Sequence, residues 1–390
     1  MTDVLVIGAG PAGSLAATIL ARAGARVQVF ERSRFPRGKL CGDTLNPGAM
    51  GVLGAHISME PLLAQSLALT GMLLTGPGGV HVRGDYGDGL CGRAITRRVL
   101  DALLIDQAIT AGAQFDDNVA VTAPMLDANG NVCGVSVRGP GGMLRSERAR
   151  LVIAADGRES KLARALGLSR YASHPRRWAI GGYFEGVAPL HPIGEMHVRA
   201  GHYIGVAPMA DGLTNACLVV PHKSGPVAWR EPGRALTEAL AADAELGPRF
   251  AGAQLVDPPH VLGPMAVDCT AAGAAGLLLA GDAAGFIDPM TGDGLHLAFA
   301  GAELAAAVAG DVLTGRTAPA DAGARLTAAR RTAFAAKWRF NRTLRSLVGS
   351  TGAISAAALG ARALPLVFER VIRYAGDCHV GQSRAAARLD

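Results

Sequence analysis

Three glycines near the start of the chain have the spacing of a phosphate-binding turn. Gly8, Gly10 and Gly13 follow four apolar residues and precede an Ala-rich segment, which predicts a buried strand, a tight turn and a helix. The first glycine would permit the bend, the second would let a pyrophosphate approach, and the third would let the helix pack closely. Free N–H groups in the first turn of the helix, which begins with Pro11 and Ala12, would face the phosphates, although the proline nitrogen itself carries no hydrogen.

An acidic residue follows at the distance expected for a ribose contact. A second predicted strand spans residues 26–30, and Glu31 stands at its end, 18 residues after Gly13. An acid at this place accepts hydrogen bonds from the ribose hydroxyls of an adenosine. A glycine-rich turn without a ligand is the alternative, but the strand, helix and acid together favour a dinucleotide-like cofactor.

A basic loop comes directly after Glu31. Residues 32–43 contain one proline and two glycines, which predict a loop. The loop has four cations, Arg32, Arg34, Arg37 and Lys39. They could neutralise phosphates, although a solvated basic loop has the same composition. Cys41 lies beside Lys39, and a lysine lowers the pKa of a nearby thiol, so Cys41 is either a reactive thiolate or a small packing residue.

Two later segments each place an acidic residue after a predicted buried strand. Asp156 and Gly157 follow the first of these strands, and Gly281 and Asp282 follow the second. A loop rich in glycine and a predicted helix over residues 295–313 come next. The loop residues of interest are Pro289, Gly292, Asp293 and Gly294. The late segment therefore has the same predicted order of strand, glycine-rich loop and helix as the amino-terminal segment.

Length and composition bound the class of protein. The 390 residues suffice for two domains, and 49% hydrophobic residues indicate a globular chain. Six cysteines without a Cys-x-x-Cys pair favour neither a disulfide framework nor a zinc site. The net charge of +6 comes without a nucleic-acid-binding motif. With neither a signal peptide nor a transmembrane span expected, we predict a cytoplasmic protein.

Alternating segments predict a second sheet inserted into the nucleotide-binding part. Four alternating runs lie between residues 179 and 220, whereas residues 46–71 and 233–251 have helical patterns. We expect an α/β chain with an α+β substrate domain and a helical carboxyl-terminal region. The expected limits are 1–71, 93–170 and 262–320 for the nucleotide domain, 72–92 and 171–261 for the substrate domain, and 321–390 for the helical region.

The motifs together resemble the glutathione-reductase-type FAD proteins, in the branch that contains aromatic hydroxylases, flavin halogenases and geranylgeranyl reductases. The Phe-Pro-Arg-x-Lys-x-Cys-Gly segment of residues 35–42 is similar to geranylgeranyl reductases and halogenases. The resemblance covers residues 1–320 and implies a Rossmann-type FAD-binding domain. FAD is accordingly the expected cofactor.

This resemblance implies a role for each motif. Glu31 would hold the adenosine ribose, Arg97 would lie by the FAD phosphates with Arg32 and Lys39 nearby, and Asp282 would bond the ribityl chain or the pyrophosphate. Asp156 and Gly157 would lie near the FAD. The residues expected against the flavin ring are Pro289, Gly292, Asp293 and Gly294. A helix start at this place would also stabilise negative charge on a reduced flavin.

The expected reaction depends on which members of this branch the chain resembles in its substrate-binding motifs. The halogenase Trp-x-Trp-x-Ile-Pro motif is missing, and residues 202–208 replace the Tyr-x-Trp-x-Phe-Pro stretch of geranylgeranyl reductases. No second Gly-x-Gly-x-x-Gly is present, so NAD(P)H would bind transiently or a partner would supply electrons. We expect a monooxygenase that acts through a flavin C4a-hydroperoxide on an apolar aromatic or polyketide-like substrate. The alternatives are reduction of carbon–carbon double bonds in a prenyl lipid and a non-catalytic binding protein of this fold.

Two further features have a functional and a plain interpretation. The resemblance places Cys41 near the flavin, and His296 would lie there at the start of the last predicted nucleotide-domain helix. His296 could orient substrate or transfer a proton, or it is an ordinary helix residue. Residues 325–345 carry seven cations, no acids and interleaved aromatic residues, which suits either peripheral membrane contact or a solvated helix.

Overall fold

Two eight-stranded sheets organise this computed structural model, which describes residues 2–173, 176–188, 191–221, 230–287, 289–348, 360 and 365–379. In chain order the strands are β1 (Thr2–Ile7), β2 (Val27–Phe30), β3 (Thr44–Leu45), β4 (Leu67–Leu69), β5 (Gly71–Gly76), β6 (Val80–Asp85), β7 (Gly92–Ala94), β8 (Gln114–Asp116), β9 (Ala120–Leu126), β10 (Val132–Arg138), β11 (Leu144–Ala154), β12 (Ser169–Tyr171), β13 (Arg177–Glu185), β14 (Gly194–Arg199), β15 (His202–Pro208), β16 (Thr214–Pro221), β17 (Gln254–Leu255), β18 (His260–Leu262), β19 (Val267–Cys269), β20 (Gly273–Ala274) and β21 (Leu277–Leu279).

The helices separate and cover these strands. In chain order they are α1 (Pro11–Arg22), α2 (Pro47–His56), α3 (Glu60–Ala64), α4 (Arg97–Thr110), α5 (Lys161–Ala165), α6 (Pro232–Ala242), α7 (Gly247–Phe250), α8 (Gly294–Leu313), α9 (Ala322–Val348) and α10 (Pro365–Ala375). Short 3-10 turns follow β21 at Gly281–Ala284 and precede α8 at Pro289–Thr291. This element order confirms a mixed α/β chain.

The first sheet has the strand order β20-β21-β11-β1-β2-β8, and the β9–β10 hairpin joins it through β11. Its central strands pair in parallel and are apolar because both of their faces are covered. Val4 and Val6 of β1 pack with α1, α4 and α8, whereas Leu5 and Ile7 pack beneath the β9–β10 hairpin. The predicted Rossmann-type sheet is therefore confirmed.

The second sheet has the order β17-β13-β16-β15-β14-β5-β6, with β18 also paired to β13. Its pairs are antiparallel except for β14 and β5, which run in parallel. One face, including Ile180 and Leu218, packs on α6 and α7. The other face, including Met196 and Val219, packs towards Phe286 from the loop after β21. This second face is thus directed at the carboxyl-terminal ends of the first sheet's strands.

Residues 46–71 do not form the continuous helix that their apolar pattern predicts. The helical conformation stops at Ala64, and β4 and the start of β5 follow. Leu67–Leu69 pairs with β7 instead, because a short apolar run fits a strand as well as a helix. The four alternating runs predicted for the second sheet are confirmed. The expected domain limits stay a prediction.

Helix α8 is a core element. It is long and apolar enough to cross a bilayer, but 61% of its most apolar window is buried inside the protein. Ala302, Ala305 and Ala309 are fully buried, and the small side chains allow α1 to pack close to α8. The helix therefore positions its amino-terminal end at the edge of the first sheet.

Helix α9 contains the basic residues of 325–345, and three of their side chains are buried. Arg330, Lys337 and Arg345 are buried, and Phe334 is buried with them. The ring of Phe340 lies 4.9 Å from that of Tyr374 in α10. Phe334 and Phe340, two of the aromatic residues that suggested peripheral membrane contact, therefore pack against other parts of the protein. Membrane contact through the exposed arginines of residues 325–345 stays a prediction without that support.

Candidate active site

Two glycines of the turn have no room for a side chain, whereas the third borders open space. Gly8 has φ = +100°, and a Cβ there would lie 2.5 Å from the carbonyl oxygen of Ala155. A Cβ on Gly13 would lie 1.9 Å from the carbonyl oxygen of Gly8. At Gly10 the nearest atoms are 3.9 Å away, so the backbone there borders open space. The predicted division of labour among the three glycines matches this geometry.

Two guanidinium groups border the open space at Gly10. Nη2 of Arg37 and Nη2 of Arg97 are the atoms at 3.9 Å. Asp101 holds both arginines, with two bonds of 2.8 and 2.7 Å from Arg97 and one of 2.8 Å from Arg37. Burial acts to raise the pKa of Asp101, but Arg97 outweighs it and holds that pKa below its usual range. A buried carboxylate thus fixes two cations where a diphosphate would lie.

Glu31 is held at the end of β2 by backbone donors. Ala9 N donates to Oε2 at 3.1 Å, and Ser33 N donates to Oε1 at 3.0 Å. Arg37 lies 3.5 Å from the same carboxylate. Each carboxylate oxygen can accept a second bond, so ribose hydroxyls could bind without displacing these donors. The position agrees with the predicted ribose contact, which stays a prediction.

A cavity of about 240 Å³ runs from the glycine-rich turn to the second sheet. Most of the predicted cofactor residues line it: Gly10, Pro11, Ala12, Arg32, Lys39, Cys41, Arg97, Asp156, Gly157, Gly281, Asp282, Gly292 and Gly294. The side chain of Pro289 lies outside the described part of the chain. The structure therefore brings together residues that are up to 284 positions apart in sequence.

Lys39 and Asp156 line the cavity between the glycine-rich turn and the second sheet. Nζ of Lys39 is 3.6 Å from the position of a Cβ on Gly157, and burial lowers the pKa of this lysine. Burial raises the pKa of Asp156, whose Oδ2 accepts from Lys161 N at 3.0 Å. Oδ1 of Asp156 is buried without a partner among the described residues. Such an oxygen fits a ligand that brings its own hydroxyl or N–H donors.

The loop before α8 faces the Cys41–Thr44 segment across the cavity. Gly292 has φ = +65°, and a Cβ there would lie 3.9 Å from Oγ1 of Thr44. Gly294 has no atom within 4 Å of a Cβ position, so the start of α8 is open to a flat ring. Its first-turn N–H groups can stabilise negative charge there. A bare backbone, two cations, an acid at β2 and an open helix start together fit FAD.

Asp293 and His296 do not line this cavity, although Asp293 lines an adjoining cavity beside Asp282, and contact of either residue with the flavin stays a prediction. Asp293 is 1% exposed and accepts hydrogen bonds from Asn341 at 2.8 Å and Thr291 at 2.5 Å. Nδ1 of His296 lies 2.7 Å from Oδ2 of Asp377 beyond α10. Both side chains turn towards α9 and the carboxyl-terminal segment because buried partners stand there. A catalytic role for His296 is therefore not supported by its position.

Cys41 lines the cavity, but its electrostatic environment is opposite to the predicted one. Burial raises the pKa of the thiol, and Asp43 raises it further, although Arg97 acts in the opposite direction. The loss of hydration outweighs the nearby positive charge. Of the two interpretations of Cys41, this environment supports the small packing residue, and a reactive Cys41 stays a prediction.

A buried carboxyl group at Asp43 was not singled out from the sequence. The residue is fully buried with φ = +54°. The Tyr183 hydroxyl donates to its Oδ2, and Asn215 Nδ2 donates to the same oxygen at 3.1 Å. Burial raises the pKa of Asp43 to about 7, although the hydrogen bond from Tyr183 acts to lower it. Only the neighbouring Cys41 and glycine in the same loop could have drawn attention to it.

Apolar side chains form the far wall of the cavity. The second sheet contributes Ala179, Met196, Tyr203, Val219 and Leu262, and loops contribute Leu40, Met265 and Phe286. Ala179 and Val219 are nearly fully buried, and Gly205 leaves space between the larger residues. This wall can bind a hydrocarbon surface but offers few hydrogen-bonding groups.

The comparisons with known proteins agree with this geometry. A family described as FAD binding domain matches residues 1–338. Digeranylgeranylglycerophospholipid reductase 2 of Methanopyrus kandleri is 30% identical over 323 residues, which cover 80% of this chain and 77% of that protein. The menaquinone reductase of Mycobacterium tuberculosis is 29% identical over 78% of this chain and 75% of its own.

A solved structure supports the architecture. A triple mutant of the flavin-dependent brominase Bmp2 superposes with a TM-score of 0.84 over 100% of this chain and 99% of its own. At 19% identity this likeness concerns the fold alone. The family match, the 30% identical relative and the open cradle at Gly10 together establish the cofactor class. The chain belongs to the FAD binding domain family and is an FAD-dependent oxidoreductase.

Proposed function

We propose that the protein reduces a carbon–carbon double bond in an apolar, prenyl-like substrate. The observation that carries this proposal is the apolar wall facing the FAD cradle, built by residues such as Ala179, Met196 and Val219. A hydrocarbon chain gains binding free energy from such a wall at roughly 25 cal/mol per Å² of buried apolar surface. The relatives named for the reduction of a prenyl phospholipid and of menaquinone support the same substrate class.

The chain's own residues would bind the cofactor and exclude water. Gly10 with Arg37 and Arg97 would hold the diphosphate, Glu31 the ribose, and the start of α8 the ring. When bound, FAD supplies the electrons of the reaction as hydride. The apolar wall and the Cys41–Thr44 segment would hold the substrate and keep water away from the reacting carbons.

NAD(P)H is the reductant that we propose for the resting enzyme. The sequence contains no second glycine-rich dinucleotide motif, so the coenzyme would bind transiently or a partner protein would replace it. The cytoplasmic location predicted from the sequence likewise stays a prediction.

Oxygen transfer to an aromatic or polyketide-like substrate is the second candidate. It is favoured by β15, where His202–Pro208 lacks the tryptophan and phenylalanine of the geranylgeranyl reductase pattern. Tyr203 and Gly205 of that strand line the cavity, so the departure affects the substrate wall itself. The non-catalytic alternative is weakened because the cradle for the cofactor is intact.

Anaerobic turnover distinguishes the candidates. The purified holoprotein would be photoreduced without oxygen and mixed with digeranylgeranylglycerophospholipid in detergent micelles, or with menaquinone. We expect the 450-nm flavin absorbance to return and the lipid to gain two hydrogens. If the absorbance returns only when oxygen is present and the product gains one oxygen atom, the protein is the monooxygenase of the second candidate and not a double-bond reductase. Absorbance that never responds to either lipid would overturn the proposal.

A pair of variants tests the substrate wall. Ala179→Phe fills the cavity opposite the cofactor cradle, whereas Val261→Phe adds the same ring type at a residue that is 37% exposed. We expect Ala179→Phe to retain FAD and lose lipid turnover, and Val261→Phe to retain both. Equal turnover by the two variants would place the substrate elsewhere.

A further inference from the structure

We propose that Asp43 is the proton donor of the reaction, with Tyr183 and Asn215 as the residues that position its carboxyl group. This inference rests on the proposed double-bond reduction, because saturation of a carbon–carbon bond needs a proton as well as a hydride. Asp43 lines the cavity beside Cys41 and Thr44, and Thr44 faces Gly292 at the ring end of the cofactor cradle. The carboxyl group therefore lies in the part of the cavity where the substrate would meet the cofactor.

The hydrogen bonds at Asp43 leave one oxygen free. Oδ2 accepts from Tyr183 and from Asn215, whereas Oδ1 is buried and has no partner among the described residues. An ionised carboxylate with a bare, buried oxygen is costly. A proton on Oδ1 removes the charge and turns this oxygen into a hydrogen-bond donor within a residue of the cavity wall.

Among the described residues, no cationic side chain is hydrogen-bonded to the carboxyl group of Asp43. Arg97 at the start of α4 acts to lower the pKa of Asp43, but it donates two hydrogen bonds to the carboxylate of Asp101. Asp101 itself acts to raise the pKa of Asp43. The Arg97–Asp101 pair therefore has little net charge to offer.

The remaining titratable neighbours keep their protons more firmly than Asp43. Burial raises the pKa of Tyr183 on β13 well above its ordinary value, and it raises that of Cys217 on β16 to about 12. Burial also raises the pKa of Cys41 in the same loop. Asp43, with a pKa of about 7, is thus the group of this cluster that can give up a proton at neutral pH.

The step balances with the electrons that FAD supplies. One alkene carbon takes the hydride, and the electron pair of the double bond takes the proton from Asp43 Oδ1 to form the second C–H bond. The O–H bond of Asp43 breaks and leaves a carboxylate, which the two donors on Oδ2 stabilise. Water or buffer returns the proton after the product has left.

Asp43→Asn is the decisive variant, and Asp211→Asn is its matched control. Both aspartates have a left-handed backbone, with φ of +54° and +62°, which asparagine tolerates. Asp211 lies at an exposed turn outside the cavity. Both variants should therefore fold and bind FAD, which the flavin absorbance of the purified proteins checks.

Infrared difference spectroscopy across pH tests the proton on Asp43 without any turnover. We expect the holoprotein to show a carboxylic-acid carbonyl band that disappears as the pH rises through about 7. The band should be absent in Asp43→Asn and unchanged in Asp211→Asn. Tyr183→Phe should move its disappearance to higher pH, because one donor to the carboxylate is lost. A band that survives in Asp43→Asn would overturn the assignment.

Anaerobic reduction of digeranylgeranylglycerophospholipid tests the transfer itself. We expect Asp43→Asn to lower the rate by about 10²–10⁴-fold with FAD content unchanged, and the wild-type rate to fall as the pH rises through about 7. A rate within a few-fold of the wild type would overturn the donor role. A wild type that shows the infrared band but does not reduce the lipid would overturn the proposed function and leave the proton at Asp43 established.

Discussion

Lys337 joins the end of the chain to the loop at the start of α8, and replacing it with methionine should be severely destabilising. Its Nζ donates to Oδ1 of Asp377 at 2.9 Å and lies 3.4 Å from Oδ2 of Asp293. It also donates to the carbonyl oxygens of Tyr374 and Ala375 at 3.0 and 2.9 Å. Methionine keeps the length of the side chain but removes the charge and all of the donors.

The size of the effect follows from the partners that remain. Asp377 would keep His296 at 2.7 Å and the Asn46 amide at 3.0 Å, and Asp293 would keep Asn341. Loss of one partner from a buried ion pair costs about 3–5 kcal/mol. Because these donors remain, we expect Lys337→Met to lower the free energy of unfolding by about 3 kcal/mol, the lower end of this range. That loss is a large part of the roughly 5–15 kcal/mol by which a folded protein is stabilised.

The loss should depend on pH with a defined sign. Burial acts to raise the pKa of Asp377, but His296 and Lys337 outweigh it and hold the pKa below its usual value. A lowered pKa contributes stability above the unfolded-state pKa of about 4 and loses it as the pH falls through the folded-state value. The difference between Lys337→Met and the wild type should therefore shrink in acid.

Urea unfolding of the FAD-free protein, followed by tryptophan fluorescence, measures the effect. Arg339→Met on the same helix is the matched control, because Arg339 is exposed and should change stability by about 0.5 kcal/mol or less. Lys337→Met combined with Asp377→Asn should regain part of the loss. A midpoint for Lys337→Met equal to that of Arg339→Met would refute the reasoning.

Three further predictions concern the cofactor cradle and Asp43. Glu31→Ala should weaken FAD retention in dialysis and leave the fold intact by circular dichroism; unchanged FAD affinity would remove the ribose contact. Gly13→Ala should prevent FAD binding, because the new Cβ would lie 1.9 Å from a backbone oxygen, whereas Gly310→Ala meets nothing within 4 Å and should bind FAD normally. Asp43 has a raised folded-state pKa of about 7, so its contribution to the free energy of unfolding declines between about pH 4 and 7, and Asp43→Asn should flatten that part of the urea-midpoint profile. A profile with the same slope in both proteins would contradict this linkage.

The local motifs were predictable because short stretches of sequence determine them. The strand, turn and helix around Gly8, Gly10 and Gly13 lie within 22 residues, and the glycines are required by contacts inside that unit. Glu31 follows from the same unit, since β1 and β2 pair in parallel. The predicted convergence of Asp156 and Asp282 on one cavity follows from the common edge at which parallel strands end.

Contacts between distant side chains could not be predicted in the same way. Asp43 meets Tyr183 across 140 residues and Asn215 across 172, and no spacing rule connects them. His296 was expected at the flavin, but the partner that turns it away, Asp377, comes from the far end of the chain. Burial raises the pKa of the Cys41 thiol and outweighs the charge of Arg97, and the sequence shows neither the burial nor this contact.

The position of β21 has a consequence for biosynthesis. Leu277–Leu279 pairs with the edge of β11 at Val152–Ala154, but it is made more than 120 residues later. At about 5–20 residues per second the newly made chain would keep this apolar edge unpaired for roughly 6–25 s. Because Gly281 and Asp282 follow β21 directly, the cofactor cradle is completed only when this strand docks. We therefore expect that FAD does not stabilise the earlier intermediates and that this apolar edge needs shielding by chaperones until β21 docks.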